Sequence, residues 1–288
     1  MPDERSYTTG SVISEDGTTI AYRQLGAGPG LVLVHGGMQG AQNLMRLAEA
    51  LSDAFTLYLP NRRGRGLSGP PGEGYNLGKE CEDIQALLTQ TGAENIFGLS
   101  SGALISLQVA LEVPSVRKVA AYEPPLSIDH SSPIAWLGRY DREIAEGRLA
   151  SALVTVLKGL QASPAFIALP RYVLVPLLKL ALMADDKNVK DGDVALRALV
   201  PTMHFDAQLV METEGALESF KAIGADVLLL GGSKSQRFLR SALDALAGVI
   251  AHVRRVELQG LDHMGPDNSG KPGVVATELR RFFALGSA

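Results

Sequence analysis

Short apolar runs separated by helix-length amphipathic segments are the feature that most limits how this chain can fold. The runs lie at 31–34, 55–59, 95–97, 116–121, 226–230 and 254–258. A strand that is apolar on both faces must be buried on both, which suits a mostly parallel sheet rather than a half-solvated antiparallel one. Helical patterns at 41–51, 77–90, 102–112, 235–247 and 274–283 fall between or after these runs. Strand and helix in alternation predict an α/β architecture, a mostly parallel central sheet with helices on both faces. Before the first buried run, 12–14 and 19–24 flank Glu15-Asp16-Gly17. Asp-Gly between two β-type runs predicts a hairpin.

The alternation stops after residue 122. About a hundred residues then carry helix-like patterns at 134–146, 149–161, 171–183, 194–200 and 207–220, with no convincing strand. A structureless loop of that length is improbable in a compact domain, so the reading is a helical insertion over the sheet. The predicted organisation is a core of residues 1–125 and 222–288, with a helical cap insertion of residues 126–221.

A chain of 288 residues with 46% hydrophobic and 20% charged content can bury a large core. The formal net charge is −4, and the densest basic run is Arg62-Arg63-Gly64-Arg65. That run reads as a solvated turn, so no nucleic-acid partner is expected. Cys81 is the single cysteine, which excludes an internal disulfide, and its helical setting suggests a small buried apolar residue. The polar segment 1–5 has no apolar signal core. The most hydrophobic stretch, 166–182, is interrupted by Pro170, Arg171, Pro176 and Lys179, and so makes a poor membrane span. A cytoplasmic protein without membrane insertion is the expectation.

The chemistry concentrates where strands end. Strand 95–97 runs into Gly98-Leu99-Ser100-Ser101-Gly102 and then directly into a helix pattern. Such a strand–turn–helix projects Ser100 above the sheet, and small residues at 98 and 102 let strand and helix approach. The pattern alone is weak; its position gives it force. After strand 31–34 comes His35-Gly36-Gly37-Met38, a glycine-rich turn that can aim a backbone N–H at the space above Ser100. Gly37, with Met38 as the alternative, and the N–H of Ser101 are the expected oxyanion-hole donors. His35 reads as holding that turn through hydrogen bonds. A base is supplied by His263, on the loop after the last strand. The other histidines fit less well: His130 and His204 lie in the insertion, and His252 precedes a strand at its wrong end.

Together, the His-Gly-Gly turn, the segment Leu59-Pro60-Asn61-Arg62-Arg63-Gly64-Arg65-Gly66-Leu67-Ser68, the Gly-x-Ser-x-Gly turn and the Gly-x-Asp-His ending resemble the α/β-hydrolase superfamily. The resemblance covers nearly the whole chain except the insertion, which corresponds to that superfamily's variable cap. It implies a serine nucleophile, an acid and a histidine in that order. The acid departs from the common pattern, because strand 226–230 leads into Gly231-Gly232-Ser233-Lys234-Ser235-Gln236 with no carboxylate. Asp226 sits at the wrong end of that strand, and Asp244 lies well down the following helix. Strand 116–121 instead ends in Tyr122-Glu123-Pro124-Pro125. Some relatives place their acid there, including fungal lactone hydrolases that open resorcylic macrolactones. Glu123 is therefore the expected acid. Asp262 is the runner-up, better suited to supporting the site from behind than to facing its own neighbour. Asn61 stands where many relatives carry Asp.

The expected reaction is acyl transfer: Ser100 attacks a carbonyl carbon, His263 takes and returns the proton, and water releases the acyl-enzyme. No metal cluster or nucleotide loop is evident, so no cofactor is expected. Serine rather than aspartate at the turn argues against epoxide hydrolase or dehalogenase chemistry. An insertion rich in Leu, Val, Ala and Met favours a largely apolar ester or lactone as the small-molecule partner. A cofactor-free perhydrolase, an acyltransferase and a non-catalytic small-molecule receptor stay open as alternatives.

Overall fold

The computed structural model describes residues 7–128, 134–162, 166 and 168–284. His130 lies outside them. Eight strands form one sheet: β1 (Thr8–Ile13), β2 (Thr19–Gly26), β3 (Gly30–Val34), β4 (Thr56–Pro60), β5 (Asn95–Leu99), β6 (Lys118–Tyr122), β7 (Asp226–Gly232) and β8 (Val253–Leu258). Their order is β1-β2-β4-β3-β5-β6-β7-β8. β1 and β2 pair antiparallel, as do β2 and β4; every other pairing is parallel. The hairpin turn is closed by Asp16, whose Oδ1 accepts from the Thr18 N–H at 3.0 Å.

The apolar runs are strands because alternate residues enter different layers of core. Val32, Val34, Ile96, Val119, Val227 and Leu229 pack with side chains of helices Leu77–Thr91, Ser101–Glu112 and Arg237–Val249. Leu31, Leu33, Phe97, Leu99, Leu228 and Leu230 pack on the opposite face with helices Met45–Glu49 and Pro272–Ala284. Each fully buried side chain of this kind contributes roughly 1.5–3 kcal/mol of transfer free energy. Cys81 is buried in the first layer, and desolvation pushes its thiol well up from the ordinary range.

Between β6 and β7 the described residues contain helices and no strand: Leu137–Ala145, Leu149–Gly159, Arg171–Asn188, Leu196–Leu199 and Met203–Glu212. They have an apolar core of their own, built on Trp136, Tyr140, Leu153, Val156, Val200 and Met203. Two predicted helices are cut short. The pattern at 194–200 gives only Leu196–Leu199 before a 3₁₀ turn, Val200–Thr202, that carries a proline in its first residues. The pattern at 207–220 is instead helix Met203–Glu212, capped at Thr213, and Gly215, with φ +76°, starts the 3₁₀ segment Ala216–Ala222. Among the described residues no helix is long and apolar enough to cross a membrane.

The two neighbours of β3 explain where a site belongs. The chain leaves β3 for β4 on one side and returns to β5 on the other, so the turns after β3 and β5 diverge. Open α/β sheets hold ligands at such a switch point, beyond the carboxyl ends of the strands.

Candidate active site

Ser100 sits at the end of β5, with φ +56° and ψ −123°, and its carbonyl accepts the first helical N–H groups of Ser101–Glu112. No ordinary side-chain residue prefers this backbone, and holding it costs on the order of 1–3 kcal/mol. The surroundings impose it. A Cβ on Gly98 would lie 2.3 Å from the Gly102 carbonyl oxygen, and one on Gly102 would lie 2.4 Å from that of Val34. Strand, turn and helix are therefore in backbone contact, which glycine alone permits. Three other described non-glycine residues have positive φ: Met38 (+51°), Glu123 (+49°) and Gln161 (+53°). Met38, Ser100 and Gln161 line one cavity of about 600 Å³, and Glu123 stands directly behind it. Strained backbone of this kind tends to cluster where proteins bind and react with ligands.

Glu123 is fully buried at the end of β6. Its Oε1 accepts from the Gly232 N–H at 2.6 Å and from the Ser235 hydroxyl. Its Oε2 is 2.7 Å from His263 Nδ1. The end of β7 and the turn after it, which carry no carboxylate, thus supply the donors that hold the one just after β6. His263 is partly buried and shares the cavity wall with Ser100. Asp262 turns elsewhere: its Oδ1 accepts from the Met264 N–H at 3.0 Å, and its carbonyl accepts from the Tyr122 hydroxyl at 2.7 Å. Gly37, Met38 and Ser101 also line the cavity. His204 faces outward and pairs with Asp141. The His252 carbonyl accepts from the Val227 N–H of β7.

The His35 ring is completely buried, with Nδ1 2.9 Å from the Gly36 carbonyl and Nε2 accepting from the Arg62 N–H at 3.2 Å. This pattern requires the neutral ring with its proton on Nδ1. Burial, followed by the charges of Arg65 and Arg62, holds the imidazole well below its ordinary value. The unfolded chain takes up a proton here as pH falls below about 6.5, whereas the folded protein does not. Stability from this group is present above that pH and is lost as pH falls, at most about 1.4 kcal/mol per pH unit. Urea denaturation is expected to give lower stability at pH 5.5 than at 7.5, with a shallower slope in His35→Gln. Equal slopes in both proteins would contradict this.

The basic run 62–65 requires a correction. It is not a solvated turn: Arg62, Arg63 and Arg65 are only 1%, 1% and 2% exposed. Arginine is buried when carboxylates satisfy its fork, and here each one is matched. Arg62 makes two bonds to Glu80, at 2.7 and 3.0 Å, and one to Asp206 at 2.7 Å. Arg63 makes two to Asp83, at 2.6 and 2.8 Å. Arg65 reaches Asp206 at 2.8 Å. Glu80 also accepts from the Tyr75 hydroxyl at 2.6 Å. Burial alone would raise Asp206, but Arg65, Arg62 and their hydrogen bonds keep its carboxyl well below the usual carboxylate range. Sequence reading missed Asp206, Glu80 and Tyr75. Asp206 falls between the helix patterns read at 194–200 and 207–220, so no sequence signal singled it out.

A family model described as alpha/beta hydrolase fold matches residues 29–268. A 2-(acetamidomethylene)succinate hydrolase of Mesorhizobium japonicum is 25% identical over 267 residues, covering 92% of this chain and 91% of that protein. An uncharacterized hydrolase, YraK, of Bacillus subtilis is 33% identical over 115 residues; that match spans 38% of this chain and 42% of the relative's length. The crystal structure of an alpha/beta hydrolase from Sphaerobacter thermophilus superposes with a TM-score of 0.77 at 29% identity, over 95% of this chain and 100% of that one.

Proposed function

Because the chain belongs to the α/β-hydrolase family, we propose that it hydrolyses carboxylic esters or lactones of largely apolar substrates through an acyl-enzyme on Ser100. The observation that carries this reading is the 2.7 Å contact of His263 Nδ1 with the buried Glu123 carboxylate, in a cavity that Ser100 also lines. With Nδ1–H bonded to Glu123, the imidazole carries its lone pair on Nε2, the form a general base needs. Nε2 takes the Ser100 proton as Oγ attacks the carbonyl carbon, and Glu123 stabilises the imidazolium. The same proton then goes to the leaving alcohol, and water repeats the sequence in reverse. The N–H groups of Gly37 and Ser101 receive the developing oxyanion, with Met38 the alternative to Gly37. Each such donor is worth roughly 10²–10³ in rate. His35 holds the turn that carries Gly37, and Asp262 braces the loop that carries His263.

In this reading, residues 126–221 act as a cap over a core of 1–125 and 222–288. Cap and core side chains close the cavity together, among them Met38, Trp136, Leu157, Leu160, Met203 and Phe238. A mostly apolar wall suits an apolar acyl or lactone chain whose carbonyl meets Ser100. Amide hydrolysis is the second reading, favoured by the name of the Mesorhizobium relative.

A substrate panel separates the possibilities: p-nitrophenyl acetate, butyrate and octanoate, γ- and δ-lactones, simple N-acyl amides, and an ester with added peroxide or alcohol. Hydrolysis of esters or lactones, preferring butyrate or octanoate to acetate, is the expected result. Turnover of amides alone overturns the ester and lactone assignment. Turnover only with peroxide or alcohol moves the protein to perhydrolysis or acyl transfer. No turnover at all favours a receptor.

A further inference from the structure

Asp206 belongs to the insertion, yet its carboxylate lies against both proposed oxyanion donors. Its Oδ1 accepts from the Ser101 hydroxyl at 2.8 Å. A Cβ built on Gly37 would stand 3.1 Å from its Cγ and 3.2 Å from its Oδ2, so the carboxylate packs directly on that glycine. Arg62 completes the arrangement. Its Nη1 bonds both Asp206, at 2.7 Å, and the Ser101 hydroxyl, at 3.1 Å, and its backbone N–H bonds His35, which carries the Gly36-Gly37 turn. One carboxylate and one guanidinium thus join helix Met203–Glu212, the turn after β3 and the turn after β5.

Charge alone does not account for this placement. A carboxylate close to a developing oxyanion opposes it, and burying one is costly unless it is paired. Arg62 and Arg65 balance Asp206 and Glu80 here, so the cluster sums to no net charge and its members are held by directed bonds. A neutral cluster whose carboxylates are each held by arginine is suited to fixing positions rather than to supplying a field.

We propose that Asp206 is a positioning residue for the oxyanion hole: it sets the spacing of the Gly37 and Ser101 N–H groups and makes that spacing depend on the seating of helix Met203–Glu212. This rests on the serine-hydrolase reading above. The insertion then does more than shape the acyl pocket, because hydrolysis is competent only while this helix is in place.

The test uses p-nitrophenyl butyrate turnover and the rate of Ser100 modification by a fluorophosphonate, in wild type, Asp206→Asn, Ser101→Ala and the double variant. Positioning predicts that kcat and the modification rate fall about ten- to a hundredfold in each single variant, the scale expected of a small misplacement. KM stays within about threefold, and the double variant is no worse than the worse single one, since both cut the same link. Asp206→Asn leaves the cluster positively charged, so a purely electrostatic role predicts a faster reaction. That result would overturn the proposal, as would a raised KM with unchanged kcat, or additive losses. Should Asp206→Asn fail to fold, Ser101→Ala decides: it keeps the N–H and loses the link, and an unchanged rate refutes the positioning role. A labelled wild type with unaffected variants removes this inference alone, whereas an unlabelled wild-type Ser100 removes the serine reading and this one with it.

Discussion

Ser100→Ala is expected to lower kcat by about 10⁶-fold, the loss seen when the nucleophile of such a constellation is removed. The substitution deletes one oxygen and leaves the turn intact. Alanine meets the same backbone strain as serine at φ +56°, and the hydrogen bonds from the Ala103 and Leu104 N–H groups go to the residue's carbonyl rather than its side chain. Stability is therefore expected to change by less than about 1 kcal/mol, as for substitutions that touch no buried contact. A thermal melt alongside the kinetics separates loss of chemistry from loss of fold. Residual catalysis over water of about 10³–10⁴ is expected from the oxyanion donors and substrate binding alone. A variant keeping even a tenth of wild-type turnover would show that another group attacks.

Glu123→Gln is the next largest expected effect, a fall in kcat of roughly 10³–10⁴-fold with KM little changed. Glutamine can still accept from Gly232 and Ser235 through its oxygen, so the buried site stays satisfied. Its amide then faces His263 Nδ1 and donates to it, which forces the ring proton onto Nε2. The imidazole is left in the wrong tautomer to accept the Ser100 proton, and the imidazolium loses its counter-charge. Asp262→Asn, whose carboxylate accepts from the Met264 N–H among the described residues, is expected to cost less than about tenfold. A nearly unaffected Glu123→Gln beside a dead Asp262→Asn would reverse the assignment of the acid.

How much of this could be read from the sequence depended on the range of the interactions. The α/β architecture was legible because a strand buried on both faces leaves a contiguous apolar run, and six such runs were visible. Element ends were less so. The helix expected over 207–220 starts at Met203 and stops at Glu212, and the chain passes through the left-handed Gly215 into a 3₁₀ segment although the apolar rhythm continues. Glu123 could be singled out because it ends a strand, a position that places a residue in space whatever its neighbours are. Asp206 could not. It lies 144 residues from Arg62 and 141 from Arg65, in a stretch that the sequence pattern left outside any helix. For the same reason three arginines in four residues read as solvated: their partners Glu80, Asp83 and Asp206 come from two other helices. Such pairings are properties of the assembled fold, with no local periodicity to announce them.

The central claim is that Ser100 is an activated nucleophile, and covalent labelling addresses it most directly. Wild-type protein treated with a fluorophosphonate at neutral pH, followed by intact-mass measurement and peptide mapping, is expected to carry one phosphonyl group on Ser100. Ser100→Ala is expected to carry none, and Glu123→Gln and His263→Ala to label far more slowly. A folded wild-type protein that stays unlabelled, or one labelled at another residue while Ser100 remains free, would contradict the account.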